Sequence, residues 1–218
     1  AEDGRLPRAH RVDVACDAVL ETITGTGGGP RAVVLLGPPG SGKTAVVHEV
    51  VHRLATLEGG PWRVLRVNPS DILAGTVYLG EWQTKVRDLV EAVKAPRRVL
   101  LYVPNLAELA HAGRANKSDL NVATMLAPHV ESGAVAILGE STPEAFRTGL
   151  GDVASLRRLF VPVELAEADA AETKAILRAV RDEAGADMPD ADLDRLLDLA
   201  GMYLTGAAQP GRAVGLLR

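Results

Sequence analysis

The sequence predicts an α/β domain, a parallel sheet with helices on both faces, followed by a small helical domain. Three observations carry this. Short aliphatic runs alternate with longer helical patterns through most of the chain, as a parallel sheet with crossover helices requires. The first of those runs leads straight into a glycine-rich loop that opens a helix. After Val163 only helical patterns remain, which places a boundary there and divides the chain into residues 1–163 and 164–218.

In order, Val12 to Ile23 reads as a helix, and the flexible Gly25-Thr26-Gly27-Gly28-Gly29-Pro30 link ends it. Arg31 to Leu36 is an apolar run suited to a buried strand, and Ala45 to Leu57 follows as a helix. Gly59-Gly60-Pro61 stops that helix before a strand at Trp62 to Val67. A helix over Gly80 to Ala95, a strand over Arg98 to Val103, and a helix over Ser118 to Glu131 come next. A strand over Ala134 to Gly139 and a short helix over Pro143 to Leu150 complete the alternation, with Val161-Pro162-Val163 as the last strand. Ala168 to Glu183, Asp190 to Ala200 and Pro210 to Leu217 are helical in pattern, with Asp187-Met188-Pro189-Asp190 as a start signal.

Composition limits the possibilities. At 218 residues the chain is long enough for one α/β domain and a small appended one. Only 3% of residues are aromatic, so the core has to be built from Ala, Val and Leu. A net charge of −4 gives no reason to expect nucleic acid or an anionic membrane as partner. No apolar run approaches the length of a membrane span. The lone Cys16 permits no internal disulfide, which fits a reducing, cytoplasmic compartment, and it reads as a small buried hydrophobe. The chain begins at Ala1 and stops at Arg218 within a helical pattern, as a segment of a longer protein would.

Gly37-Pro38-Pro39-Gly40-Ser41-Gly42-Lys43-Thr44 is a complete G-x-x-x-x-G-K-[ST] loop. Each fixed position has a task on a nucleoside triphosphate. The glycines let backbone N–H groups approach the phosphates, Lys43 brings charge to the β- and γ-phosphates, and the Thr44 hydroxyl ligates Mg²⁺. The strand before and helix after the loop place a helix N-terminus on the anion. The residues therefore point to a nucleoside triphosphate with Mg²⁺; the resemblance set out below makes it ATP.

His48-Glu49-Val50-Val51-His52 spells the H-E-x-x-H of zinc proteases on the same helix. That helix already serves the phosphate loop, and nothing nearby announces a third ligand or a cleft. Polar residues on the outer face of an α/β helix are the better reading.

The order of the elements and several short motifs resemble an AAA+ module, most closely the first ATPase module of the Clp family of protein-unfolding hexamers. The resemblance runs from about Arg11 to Arg218 and implies a P-loop NTPase fold of AAA+ type with a helical lid. Ala74-Gly75-Thr76-Val77-Tyr78-Leu79-Gly80-Glu81-Trp82 is similar to the family's axial pore loop, with Tyr78 where an aromatic residue grips substrate polypeptide. Tyr78 also reads as an ordinary loop aromatic. Gly139-Glu140-Ser141-Thr142-Pro143 resembles the end of the sensor-1 strand, which makes Thr142 the polar sensor; the same residue reads as the N-cap of a helix with proline at its first position.

Ser155 to Phe160 resembles the segment whose arginines reach the neighbouring subunit's nucleotide. Arg158 matches the first arginine and Leu159 replaces the second. A finger of that kind works only in trans, so it implies a ring of like subunits; a solvated helix charge is the alternative. Pro210-Gly211-Arg212-Ala213 lies where the lid's sensor-2 helix begins, with Arg212 facing the phosphates in that reading.

One departure bears on turnover. The strand Val99 to Val103 corresponds to the family's Walker B strand, which in hydrolysing members ends in Asp and then Glu. The Asp serves the magnesium and the Glu polarises the attacking water. Here Pro104 and Asn105 stand in those places, and neither carries charge. General-base catalysis contributes about 10²–10⁴-fold, so its loss alone slows turnover greatly. Glu108 lies beyond the strand. Glu140, near the end of the adjacent strand, is the candidate for a relocated carboxylate; a solvent-exposed or ion-paired glutamate is the other reading. The expectation is an ATP-binding module of a protein-remodelling ring with impaired hydrolysis. The alternatives are an active unfoldase module using Glu140, and a scaffold that binds no nucleotide.

Overall fold

The computed structural model describes residues 6–25, 29–75, 80–94, 98–113, 120–150 and 154–217. The elements run α1 (Asp13–Thr24), β1 (Arg31–Leu36), α2 (Lys43–Ala55), β2 (Arg63–Arg66), α3 (Pro69–Leu73), α4 (Glu81–Lys94) and β3 (Val99–Val103). They continue with a 3₁₀ helix (Leu106–Ala110), α5 (Val122–Glu131), β4 (Ala136–Ser141), α6 (Pro143–Gly149), α7 (Ala154–Arg157), β5 (Val161–Glu164), α8 (Ala170–Ala184), α9 (Asp190–Tyr203) and α10 (Gly211–Leu217).

Five strands form one parallel sheet in the order β2-β3-β4-β1-β5. β1 lies between β4 and β5 and is buried on both faces, which is why it reads as an unbroken aliphatic run rather than an alternating one. One face packs under α1 and α2 through Val33, Leu35, Leu100 and Leu138. The other packs under α4, α5 and the 3₁₀ helix through Val34, Leu101, Val103 and Ile137. Leu177, Leu193, Ala200 and Ala213 on α8, α9 and α10 form a separate small core.

Local signals explain the helix ends. Asn121 and Thr124 make a reciprocal capping box at the start of α5, as do Asp169 and Glu172 at α8. Gly185 closes α8 in the left-handed conformation. Among the described residues no helix is long and apolar enough to cross a membrane.

Two differences from the sequence expectation matter for the site. α2 begins at Lys43, inside the loop motif, because Gly42 has already turned the chain into the helix with φ 93°. β4 runs on to Ser141 rather than stopping at Gly139, because β1 pairs with it as far as Leu36 and Ser141. Glu140 is therefore inside the sheet, not beyond its edge.

Cys16 is fully buried against α2, and its thiol lies 3.8 Å from the Val46 carbonyl that accepts from it. Burial pushes the thiol up to about 11, with Arg53 only partly opposing. The reactive thiolate is thus scarce at pH 8. A maleimide should leave the native protein unmodified over an hour and label it fully in denaturant, as read by intact mass.

Candidate functional site

The phosphate loop leaves β1 and is fixed at its entry by backbone bonds on both sides. Gly37 N–H donates to the Ser141 carbonyl at 3.2 Å, and Leu165 N–H donates to the Leu36 carbonyl at 2.7 Å. Gly40 and Gly42 take φ of 88° and 93°, values that a side chain disfavours. Lys43 folds back over the loop, its ammonium donating to the carbonyls of Gly37 and Pro38 at 2.8 Å each. Burial holds that ammonium below the usual lysine range, with the Glu140 carboxylate opposing. The buried hydroxyls of Ser41 and Ser141, which border the loop, have no partner among the described residues.

Glu140 on β4 is only 6% exposed. Its two carboxylate oxygens are both engaged. Oε2 accepts from the Thr44 hydroxyl at 3.1 Å, and Oε1 accepts from the Tyr102 phenol at 2.5 Å. Burial first, and the Glu140 carboxylate second, push the Tyr102 phenol well above its ordinary value, so it stays a donor. Tyr102 follows from strand geometry. It pairs with Leu138 across β3 and β4, and Leu138 and Glu140 lie on the same face of β4. In the sequence Tyr102 is one residue of an apolar strand, and the lone phenol within Val99 to Val103 is the only signal of this role.

At the end of β3 no carboxylate takes part. Pro104 follows Val103, and Asn105 is exposed with its amide donating to Glu108 at 2.6 Å. Thr142 caps α6, accepting from the Ala145 N–H at 3.1 Å. Arg158 is exposed at the end of α7 and donates to its own helix at the Ala154 carbonyl. Tyr78 lies outside the described residues.

Arg212 stands one residue after Gly211, whose N–H bonds to the loop at Gly40. Its guanidinium donates to Glu167 at 3.1 Å and to the Ala207 carbonyl at 2.7 Å, so a nearby carboxylate holds it within the helical part. Backbone hydrogen bonds join the helical part to the loop itself. Ala208 N–H donates to the Pro39 carbonyl at 2.7 Å and Gly211 N–H to the Gly40 carbonyl at 2.9 Å.

Beside the loop opens a cavity of about 750 Å³ bounded by residues before α1, the end of β5, α8 and α10. Val12, Val163, Ile176, Val180, Pro210 and Val214 give it an apolar wall of a kind that suits a flat heterocycle. A second cavity, of about 810 Å³, lies around Arg31, Trp62 and Arg98, away from the loop and from the carboxyl ends of the strands where open α/β sheets bind ligands.

The oxygen donors suit a hard cation that arrives with phosphates. Thr44 and Glu140 supply a hydroxyl and a carboxylate, and among the described residues no group of three or more His, Cys, Asp or Glu side chains forms a metal cage. The H-E-x-x-H residues are otherwise engaged. Glu49 is buried and accepts from Arg8 at 3.1 Å and Arg53 at 3.2 Å, while His52 Nε2 sits 3.0 Å from the Leu6 carbonyl. The motif thus fastens the segment before α1 onto α2, where Arg8 to Val12 border the cavity. Glu49 is not on an outer face; two guanidinium groups make its burial tolerable.

A five-stranded parallel sheet, a glycine-rich loop leading from an interior strand into α2, and a helical appendage hydrogen-bonded to that loop define a P-loop NTPase fold of the AAA+ class. A family model described as "AAA ATPase domain" matches residues 17–216, and the chain belongs to that family. It is a Clp-type module. It is 27% identical to the ATP-dependent Clp protease ATP-binding subunit ClpC of Staphylococcus aureus (strain USA300), over 100% of this chain and 27% of that protein. It is 30% identical to the chaperone protein ClpB of Wolinella succinogenes, over 84% of this chain and 22% of ClpB. The chain therefore spans only a small part of the relatives it matches. In fold it is similar to S. cerevisiae Hsp104 solved as a casein complex, with TM-score 0.82 and 21% identity, covering 99% of this chain and 38% of that one. The family implies nucleotide binding with a divalent metal.

Proposed function

We propose that this chain is the Mg²⁺-ATP-binding module of a cytoplasmic, Clp-like ring, a hexamer in the whole protein, that remodels polypeptides, and that its own turnover is impaired. The observation that carries this reading is an intact phosphate loop in a chain whose β3 is followed by Pro104 and Asn105. Gly37 to Thr44 supply the phosphate cradle, and Mg²⁺ supplies charge neutralisation on the phosphates. The apolar cavity wall suits the base. Bound nucleotide sets the angle between the sheet domain, residues 1–163, and the helical lid, residues 164–218. The backbone bonds from Ala208 and Gly211 to the loop favour such coupling.

Exposed Arg158, whose bond to the Ala154 carbonyl is a weak local one, fits a finger that reaches a neighbouring subunit, and Thr142, still able to donate its hydroxyl proton, fits a sensor of the phosphates. The similarity to a chaperone solved with casein suggests polypeptide as the substrate, gripped at Tyr78. The contact between Glu140 and Thr44 favours a second reading, an active ATPase in which Glu140 is the base.

The test is γ-phosphate release from Mg²⁺-ATP under single-turnover conditions, with Lys43→Ala alongside. Bound, uncleaved ATP that is lost in the variant is the expected result. Release that disappears in the variant would establish an active enzyme, and equal affinity in both proteins would favour the scaffold.

A further inference from the structure

We infer that Glu140 supplies, from β4, the magnesium-side carboxylate missing from the end of β3, and that Tyr102 is the residue that positions it. The inference rests on the Mg²⁺-ATP reading and gives Glu140 a role different from that of a base.

The sheet explains how the function moves one strand across. Val103, the last residue of β3, pairs with Gly139 of β4, so Glu140 is the first residue of β4 past the point where the chain leaves β3 at Pro104. On its other side Glu140 pairs with Leu35, two residues before the loop begins. A carboxylate there emerges under the start of α2, where Thr44 lies.

Its surroundings ask for a cation. A carboxylate 6% exposed is costly to bury without a positive partner. Among the described residues Glu140 forms no ion pair. Its two hydrogen-bond partners, Thr44 and Tyr102, are neutral hydroxyls, and the Lys43 ammonium, although near enough to feel the carboxylate, spends its hydrogen bonds on the Gly37 and Pro38 carbonyls. Thr44 commits its only hydroxyl proton to Glu140, which leaves the oxygen's lone pairs for a metal ion. This is the arrangement in which an outer carboxylate orients a metal-binding hydroxyl and raises its basicity. Tyr102 fixes the other carboxylate oxygen, so the group cannot swing toward solvent or toward an attacking water.

The experiment compares equilibrium affinity for a fluorescent ATP analogue in Mg²⁺ and in EDTA. The proteins are the wild-type chain, Glu140→Gln, Tyr102→Phe and Lys43→Ala. Magnesium should tighten wild-type binding. Glu140→Gln should lose about 10–100-fold of affinity in Mg²⁺ and keep its affinity in EDTA. Tyr102→Phe, which keeps the carboxylate and the shape of the buried face, should lose a smaller part of the same magnesium-dependent gain. Lys43→Ala should lose affinity in both conditions. A Glu140→Gln protein weakened equally with and without magnesium would show a structural role and overturn the proposal. So would an undiminished magnesium gain in Tyr102→Phe and Glu140→Gln together. Should Glu140→Gln fail to fold, Tyr102→Phe decides alone by the same criterion. Wild-type protein that binds in neither condition would overturn the nucleotide reading itself, and this inference with it.

Discussion

Replacing Asn105 with glutamate, in a background where Glu108 is glutamine, should raise steady-state ATP hydrolysis by about 10²–10⁴-fold, the usual contribution of general-base catalysis. Asn105 stands two residues past β3 at the carboxyl edge of the sheet and is exposed, so a longer acidic side chain meets no packing obstacle. Glu108 is changed with it because it accepts from the Asn105 amide at 2.6 Å and would repel a second carboxylate. The decisive feature is that Pro104 is left alone. If Glu140 already serves the magnesium, a base is the one missing component, and a single restored carboxylate is enough. Should turnover appear only when Pro104→Asp is added, Glu140 is not doing that task. Phosphate release over many turnovers, with Lys43→Ala in the same background as the zero, separates the two outcomes.

That experiment exists because part of the site was legible in the sequence and part was not. The phosphate loop is a local device of eight consecutive residues between a strand and a helix, so its chemistry reads directly. β1 was legible to the residue, since burial on both faces leaves an unbroken aliphatic run. Short elements were missed. α3 and the 3₁₀ helix after β3 span five residues each, too few for a helical period to register. The Glu140 site is the instructive failure. Alternation along β4 singled out Glu140, but its partners lie 38 and 96 residues away, and only the order β3-β4-β1 brings them together. The partner of Arg212 was equally out of reach, because its bond to Glu167 is set by how the chain folds back, not by spacing.

Gly40→Ala should be among the most damaging small substitutions in the chain, although the loop motif accepts any residue at that position. Two independent costs meet there. Gly40 has φ 88°, and a side chain in left-handed backbone costs about 1–2 kcal/mol. An added Cβ would also stand 2.5 Å from the Ala208 carbonyl oxygen and 2.9 Å from the Ala208 nitrogen. Both are backbone atoms, held in place because Ala208 N–H donates to Pro39, so neither can rotate away. Overpacking of that kind costs about 1–3 kcal/mol more. Gly185→Ala isolates the first cost, since Gly185 has φ 63° and nothing within 4 Å of an added Cβ. Denaturant unfolding should therefore show a larger loss for Gly40→Ala than for Gly185→Ala. The excess should be relieved by a change that lets the lid separate from the loop. ATP affinity should fall in Gly40→Ala alone, because the displaced backbone belongs to the phosphate cradle. Equal losses in the two variants would mean that the lid does not rest on the loop in solution, and the coupling of nucleotide to lid angle would have to be carried elsewhere.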